Sequence, residues 1–185
     1  NCILADGDSI TLIEKGVLPP RDVLEHMMAA RHSPKVHETV RRARVGIAGL
    51  GGLGSNIAAM LARTGVGQLV LADFDIVEPS NLNRQNYFVS HLGQYKTEAT
   101  SSLIHQINPF ISVETHNVRI TAENAMDLFA DCDVVCEAFD NPVCKAELVS
   151  TLLSESETIR IVSGSGMAGY GSSNTIVTRK RMSRL

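Results

Sequence analysis

The sequence lacks the features that mark membrane, secreted and nucleic-acid-binding proteins. It contains no run of about 18 apolar residues, so we expect no membrane-spanning helix. It does not begin with a secretory signal peptide. Its formal net charge of −3 provides no overall attraction to nucleic acid. We therefore expect a cytoplasmic protein whose partners are neither a membrane nor a nucleic acid. Because the sequence begins at Asn1 rather than Met and stops at Leu185, we expect truncation at both ends.

Paired cysteines of the kind that bind zinc are also missing. No C-x-x-C pair occurs among Cys2, Cys132, Cys136 and Cys144, so we expect no zinc site. We interpret the four residues as free thiols in or beside strands of a protein in a reducing compartment. A metal or redox site is the weaker alternative.

Strand-like and helix-like segments alternate along most of the chain. The 185 residues, of which 44% are hydrophobic, are sufficient for one α/β domain with a buried core. Segments of helical periodicity separate strand-like runs at residues 44–50, 68–72, 111–118, 133–139, 159–162 and 174–179. This alternation predicts a Rossmann-like α/β fold, with a mostly parallel sheet and helices on both faces. Ligands of such sheets bind outside the carboxyl ends of the strands.

The region from Arg44 to Gln85 contains the clearest functional motif. A predicted strand is followed by a turn with the spacing G-x-G-x-x-G, and a predicted helix follows the turn. Asp73 ends the next predicted strand, where its carboxylate can accept hydrogen bonds from a ribose. Backbone N–H groups of the turn and the start of the helix favour a phosphate. The glycines of the turn, including one additional to the motif, are Gly49, Gly51, Gly52 and Gly54.

The residues that follow Asp73 favour ATP over a nicotinamide dinucleotide. Arg84 and Lys96 would place positive charge near the phosphates, and three phosphates need more neutralisation than NAD does. Asp140 follows another predicted strand and suits a magnesium ion bound to ATP. The sequence therefore predicts a site for ATP and Mg²⁺, and an NAD-dependent dehydrogenase is the last alternative.

Three motifs together resemble the adenylylating family of ubiquitin-activating-type enzymes, of which ThiF and MoeB are bacterial members. The resemblance spans about residues 31–179. The phrase SGMAGYGSSNTIVTRK at residues 165–180 resembles the short ThiF-like subgroup in particular. The motifs are GLGGLGS at Gly49–Ser55, DFDIVEPSNLNRQ at Asp73–Gln85 and EAFDN at Glu137–Asn141.

The resemblance implies adenylylation of a sulfur-carrier protein of the ThiS type, which ends in two glycines, in thiamine biosynthesis. The carboxylate of the carrier's terminal glycine would attack the α-phosphate of ATP, and pyrophosphate would leave. Larger family members use a downstream cysteine for thioester or persulfide chemistry. Because no cysteine follows Cys144, we expect adenylylation alone.

The same resemblance assigns roles to individual residues. It implies that Asp140 binds magnesium and that an N-terminal arginine reaches into the partner's site of a homodimer. Arg31 is the candidate for this arginine, with Arg41 and Arg42 as alternatives. Asp75 is either a ribose or metal ligand or a structural acid, and Lys145 is expected at the surface. The implied nucleotide-binding residues are Gly49, Gly51, Gly52, Gly54, Asp73, Asp75, Asn81, Arg84, Gln85 and Lys96; the implied catalytic residues are Arg84, Lys96, Asp140 and Arg31.

Other interpretations remain open at this point. A relative that activates a carboxylate attached to tRNA would require a basic surface patch, for which residues 179–184 are the candidate. A non-catalytic subunit that binds nucleotide or carrier is another alternative. We expect residues 19–185 to form the ThiF-type nucleotide-binding domain and residues 1–18 to be an N-terminal extension. The extension resembles the last hairpin of a ThiS-like β-grasp module, of which it is a candidate remnant.

Overall fold

A five-stranded parallel sheet forms the centre of the molecule, with the strand order β3-β2-β1-β4-β5. The structure is a computed structural model that describes residues 3, 5–8, 10, 12, 14–29, 34–164 and 172–185. The prediction of a Rossmann-like α/β fold with helices on both faces is confirmed. The strands are β1 (Arg44–Ala48), β2 (Gln68–Ala72), β3 (Ser112–His116), β4 (Val134–Glu137) and β5 (Arg160–Ser163). The helices are α1 (Arg21–Ala29), α2 (Pro34–Arg42), α3 (Gly54–Thr64), α4 (Lys96–Ile107), α5 (Ala122–Phe129) and α6 (Pro142–Glu155).

The sheet buries apolar side chains on both of its faces, because successive strand residues point to opposite sides. On β2, Val70 packs with residues of α5 and α6, while Leu71 packs with residues of α3 and α4. Phe129 of α5 is fully buried against β1 at Gly46. A β-carbon at Gly46 would lie only 2.6 Å from the Phe129 ring, so the glycine is needed for this packing.

The strand order places a crevice at the carboxyl end of β1. The chain continues from β1 through α3 to β2 on one side, whereas β4 pairs with β1 on the other side. The connections therefore diverge at this point, and the loops after β1 and β4 separate to opposite faces. Such switch points are where open α/β sheets bind their ligands.

The expected strand at residues 174–179 is wrong. Ser173–Thr175 is a single 3₁₀ turn, and the residues that follow it form no strand. Ile176 and Val177 are 74% and 60% exposed, so their β propensity is not supported by burial. Arg184 instead lies against β5, where its carbonyl accepts a hydrogen bond of 2.7 Å from the Ile161 N–H.

The N-terminal expectations fall partly outside the described residues. Cys2 and Arg31 lie outside them, as do parts of the strand-like segment at residues 10–13. The division into residues 1–18 and 19–185 therefore stays a prediction. In the part of the chain that the structure describes, no helix is long and apolar enough to cross a membrane.

Candidate functional site

The glycine turn after β1 has two kinds of glycine. Gly49 has φ +88°, a left-handed conformation that favours glycine, and its N–H donates to the Ala72 carbonyl. A β-carbon at Gly54 would overlap the carbonyl oxygen of Gly49. At Gly51 and Gly52, by contrast, a β-carbon would have no neighbour closer than 3.7 Å among the described residues. These two glycines leave open space at the start of α3, where backbone N–H groups favour an anion.

Asp73 connects the end of β2 to this turn. Its carboxylate accepts the Leu50 N–H at 2.6 Å and the Asp75 N–H at 2.8 Å, so it shapes the turn as well as lining it. Burial raises the pKa of Asp73, while those two backbone N–H groups and the charge of Lys96 oppose the rise. Each carboxylate oxygen keeps a further lone pair. The structural contribution of Asp73 was not predicted from the sequence.

Lys96 is a buried cation at the first position of α4. Only 5% of the residue is exposed, and its Nζ donates to the Asp75 carboxylate at 2.7 Å. The alternative that Lys96 is a solvated lysine on a helix surface is therefore wrong. A buried ammonium needs a partner because desolvation is costly. Asp75 supplies that partner, and it is itself half exposed beside the crevice.

Arg84 and Gln85 lie beside the open glycines. The side chain of Arg84 passes within 3.7 Å of the β-carbon position of Gly52, and its exposed guanidinium donates to the Ser80 carbonyl. Gln85 is 8% exposed, and its buried Oε1 has no hydrogen-bond partner among the described residues. An unpaired buried carbonyl is costly, and a ligand donor or water would relieve that cost.

Asn81 is buried in the single 3₁₀ turn that precedes Arg84. Its Oδ1 accepts the Glu78 N–H at 2.9 Å, and its amide N–H₂ group has no acceptor among the described residues. Asn81 therefore holds the shape of the loop that carries Arg84.

Asp140 follows β4 and borders the same crevice. The preceding residues, Ala138 and Phe139, lie against Gly49 at 3.0–3.4 Å from its β-carbon position. Asp140 is exposed, and its carboxylate has no hydrogen bond or ion pair within the described part of the chain. The alternative that Asp140 caps the next helix is wrong, because Asn141 caps α6 by accepting the Val143 N–H at 2.9 Å.

The donor set fits magnesium in an ATP complex better than a metal held by protein alone. Across the residues that the structure describes, no three His, Cys, Asp or Glu side chains cluster tightly enough to hold an ion. Mg²⁺ commonly takes one or two carboxylates together with substrate phosphates and waters. Asp140, whose carboxylate has no partner among the described residues, can supply one such carboxylate.

The alternatives to Arg31 are engaged elsewhere on the chain. Arg41 pairs with Glu25 at 3.1 Å, and Arg42 pairs with Glu38 on the same helix. Arg31 itself lies outside the described residues. The origin of the arginine that would act in the partner's site stays a prediction.

A cluster of Lys145 and Ser163 around the buried Glu137, which lies near Asp140 in the chain, was not predicted from the sequence. Glu137 is 1% exposed, and its Oε2 accepts both Lys145 Nζ and the Ser163 hydroxyl. The expectation that Lys145 has a surface role is wrong, because its side chain is 20% exposed and paired with this buried acid. The sequence signal was a glutamate inside the apolar run of β4, since such a residue requires a partner.

These features define the class of protein. The molecule is an α/β protein of Rossmann-like fold whose glycine turn and charged side chains meet at the carboxyl edge of a parallel sheet. The ThiF family model matches residues 24–183, and the chain therefore belongs to the ThiF family. The resemblance inferred from the three motifs is confirmed.

Over the aligned segments, the named relatives are about a third or more identical to this chain. Adenylyltransferase and sulfurtransferase UBA4 of Candida glabrata is 34% identical over 131 residues, which cover 70% of this chain and 30% of that protein. Ubiquitin-like modifier-activating enzyme 5 of Drosophila persimilis is 41% identical over 111 residues, covering 59% and 29%. The matched part of this chain therefore covers less than a third of the length of each of these relatives.

Solved structures of the same fold include ATP complexes. The E. coli tRNA N6-threonylcarbamoyladenosine dehydratase in complex with ATP superposes with a TM-score of 0.68 and 29% identity, covering 74% of this chain and 57% of that one. E. coli MccB with ATP has a TM-score of 0.54 and 30% identity, covering 57% and 32%.

Proposed function

We propose that this chain is an ATP-dependent adenylyltransferase that activates the C-terminal glycine carboxylate of a small carrier protein. One observation carries the proposal: an open glycine turn, a buried lysine and an aspartate without a partner among the described residues lie at the switch point of a ThiF-family fold. Within this class, the short ThiF-like phrase at residues 165–180 favours a ThiS-like sulfur carrier of thiamine biosynthesis.

Each of the surrounding side chains has a role toward ATP that its contacts support. Asp73 would receive the ribose through its remaining lone pairs, and Gly51 and Gly52 would admit the phosphates to backbone N–H groups. Lys96 and Arg84 would neutralise phosphate charge, and Gln85 would offer its unpaired Oε1 to a donor. Asn81 would support these contacts by shaping the loop.

Asp140 would hold the magnesium ion that accompanies ATP. The ion, when bound, would neutralise charge on the phosphates. Asp140 supports this role because it is exposed at the crevice and its carboxylate is not used by another part of the described chain. Asp75 is a second oxygen donor at the same edge, already paired with Lys96.

The chemistry would require positioning and charge stabilisation rather than an enzyme nucleophile. The carrier carboxylate would attack the α-phosphorus, a new oxygen–phosphorus bond would form, and pyrophosphate would depart with its bonding electrons. The buried thiols of Cys132 and Cys136 are poorly suited to act as nucleophiles. Burial raises the pKa of both, that of Cys132 to about 11, so both are protonated near neutral pH.

ATP–pyrophosphate exchange would test the proposal. The chain should catalyse exchange with a ThiS-like carrier ending in two glycines, and the same carrier without its last glycine should give none. Arg84→Ala should reduce exchange by on the order of 100-fold, because a charge at the phosphates is lost. Arg63→Ala is a matched control on the exposed end of α3. No exchange with any diglycine carrier would refute the proposal, as would parent-level exchange by Arg84→Ala.

The dehydratase similarity favours one second candidate, the activation of a carboxylate carried by tRNA. Its support is the TM-score of 0.68 with the E. coli tRNA-modifying enzyme. ATP consumption with modified tRNA, compared with the carrier protein, would separate the two. Consumption with tRNA alone would favour the second candidate.

The homodimer is also part of the proposal, with Arg31 acting in the partner's site. An Arg31→Ala chain and an Asp140→Asn chain should each be inactive. Mixing them should restore roughly a quarter of parental activity if subunits exchange freely, because closed C₂ dimers pair sites from both chains. An inactive mixture, with dimers exchanging as shown by mass, would place the arginine in the same chain or elsewhere.

A further inference from the structure

The buried carboxylate of Glu137 joins three parts of the molecule at the edge of the crevice. Its Oε1 accepts the Phe139 N–H at 2.7 Å, and its Oε2 accepts Lys145 Nζ at 2.5 Å and the Ser163 hydroxyl at 2.6 Å. These donors belong to the loop after β4, the first turns of α6 and the last residue of β5. The proposed ATP chemistry uses none of the side chains of Glu137, Lys145 and Ser163.

Hydrogen bonds brace the backbone on both sides of Asp140, and one of them is made by Glu137. The Ala138 N–H donates to the Ala48 carbonyl of β1 at 2.9 Å, and the Phe139 N–H donates to Glu137. On the other side, Asn141 is fixed because its Oδ1 caps α6. Asp140 is thus held between two anchored residues, while its own carboxylate has no partner in the described part of the chain.

The cluster also extends towards the glycine turn. Gly164 follows Ser163 directly, and a β-carbon at Gly164 would lie 3.1 Å from the Leu53 side chain in that turn. We therefore expect a change in the Glu137 contacts to shift the backbone at two places that border the crevice, at Asp140 and beside Leu53.

A buried ion pair is a poor means of stabilising a strand end. Hydrophobic residues of similar volume often stabilise such positions equally well or better, because the charges must be desolvated. Groups that orient a metal ligand, in contrast, are charged or strongly hydrogen-bonding, and their loss weakens metal binding. The geometry at Glu137 matches the second purpose, since its contacts fix the loop that carries one free carboxylate.

We infer that Glu137 and Lys145 are positioning residues that hold the loop of Asp140 in the conformation that receives the magnesium ion of ATP. The inference rests on the proposed function of Asp140. Neither residue contacts the nucleotide in this arrangement, so their loss acts through Asp140 rather than through ATP itself.

Nucleotide binding with and without magnesium tests this inference without requiring the carrier. The affinity for ATP is measured by calorimetry in EDTA and then across a Mg²⁺ series, for the parent, Asp140→Asn, Lys145→Met and Lys145→Arg. Lys35→Met, on the exposed face of α2, is the matched control. Thermal melting confirms that each variant is folded.

Lys145→Met should raise the Mg²⁺ concentration for half-maximal tightening of ATP by roughly 10–100-fold. ATP affinity in EDTA should stay at the parental value, and Lys145→Arg, which keeps a cation for Glu137, should restore most of the response to Mg²⁺. If Lys145→Met does not fold, Ser163→Ala removes a single donor to Glu137 and should shift the Mg²⁺ response in the same direction.

A parental Mg²⁺ response in folded Lys145→Met, or in Ser163→Ala where it replaces that variant, would overturn the inference. An equal loss of ATP affinity with and without Mg²⁺ would also overturn it, since that result indicates general loosening of the site. A parental response in Asp140→Asn would refute the metal role of Asp140 and this inference with it. If the variants show the predicted shifts in Mg²⁺ response but the parent catalyses no pyrophosphate exchange, the proposed reaction would be refuted and the positioning role would stay supported.

Discussion

Two glycines of the same turn should respond in opposite ways to alanine. Gly54 is enclosed: a β-carbon there would overlap the Gly49 carbonyl oxygen and lie 2.9 Å from its carbonyl carbon. Gly52 is open: the nearest atom to a β-carbon there would be Arg84 Cγ at 3.7 Å, which is ordinary contact. Neither residue has a positive φ, so the difference between them is one of space rather than backbone strain.

The magnitudes follow from these distances. Gly54→Ala must displace backbone atoms. It should therefore lower the free energy of unfolding by at least the cost of adding a methyl group to a packed core, which is about 1–3 kcal/mol. For a chain of this size each kcal/mol corresponds to about 2–4 °C in melting temperature. Gly52→Ala should leave stability unchanged or raise it by about 0.4–1 kcal/mol through the entropy of the unfolded chain. Its methyl group would nevertheless occupy the space proposed for a phosphate, so ATP affinity should fall at least about tenfold, or 1.4 kcal/mol.

Thermal melting and calorimetric titration with ATP separate the two effects. The expected result is an unstable Gly54→Ala and a stable Gly52→Ala that binds ATP poorly. Parental ATP affinity in Gly52→Ala would refute the placement of the phosphates at this turn. A parental melting temperature for Gly54→Ala would refute the packing argument, whatever happens to ATP.

Two further predictions concern the core. Gly46→Ala should destabilise the fold by about 1–3 kcal/mol, because the added methyl group would lie 2.6 Å from the Phe129 ring. Combining it with Phe129→Leu should recover part of the loss in urea unfolding. If the effects of the two substitutions simply add, the contact is contradicted. The pKa of Cys132 is raised by burial from 9.0 to about 11, so the unfolded chain loses this proton at lower pH than the folded chain does. The free energy of unfolding should therefore fall as the pH rises from 9.0 towards about 11. Cys132→Ala should make this fall less steep. An unchanged slope would contradict the raised pKa of Cys132.

The parts of the fold that the sequence predicts well are those determined by local patterns. β1, the glycine turn and α3 are recognisable because the steric requirements of Gly49 and Gly54 act within a few residues. The parallel sheet follows from the alternation of strands and helices, since a parallel connection needs a crossover. The predicted strand at 174–179 failed because β propensity alone does not say whether another strand is available to pair with it.

The side-chain contacts of the site depend on residues distant in sequence and were predicted less well. The burial of Lys96 and its pairing with Asp75 arise only when α4 begins beside the end of β2. The contact of Lys145 with Glu137 joins a helix to the strand before it, and Ser163 joins the cluster from β5. Spacing shows which charged residues are near strand ends, but only packing decides which of them are paired.

The acidic residues at the crevice differ in how many protein donors they already accept. For this reason, the position of an acid in a motif is an incomplete guide to its function. Glu137 and Asp140 are both acidic, and Glu137 ends β4 while Asp140 lies in the loop that follows it, but the carboxylate of Glu137 already accepts three protein donors, two of them at Oε2. Asp73 is intermediate, because each of its oxygens has accepted one backbone N–H and keeps capacity for another. A cation in the crevice would compete with protein donors at Glu137, whereas at Asp140 it would displace only water. The affinity for Mg²⁺ should therefore depend directly on Asp140, which is unpaired among the described residues, and on Glu137 only through the loop that it holds.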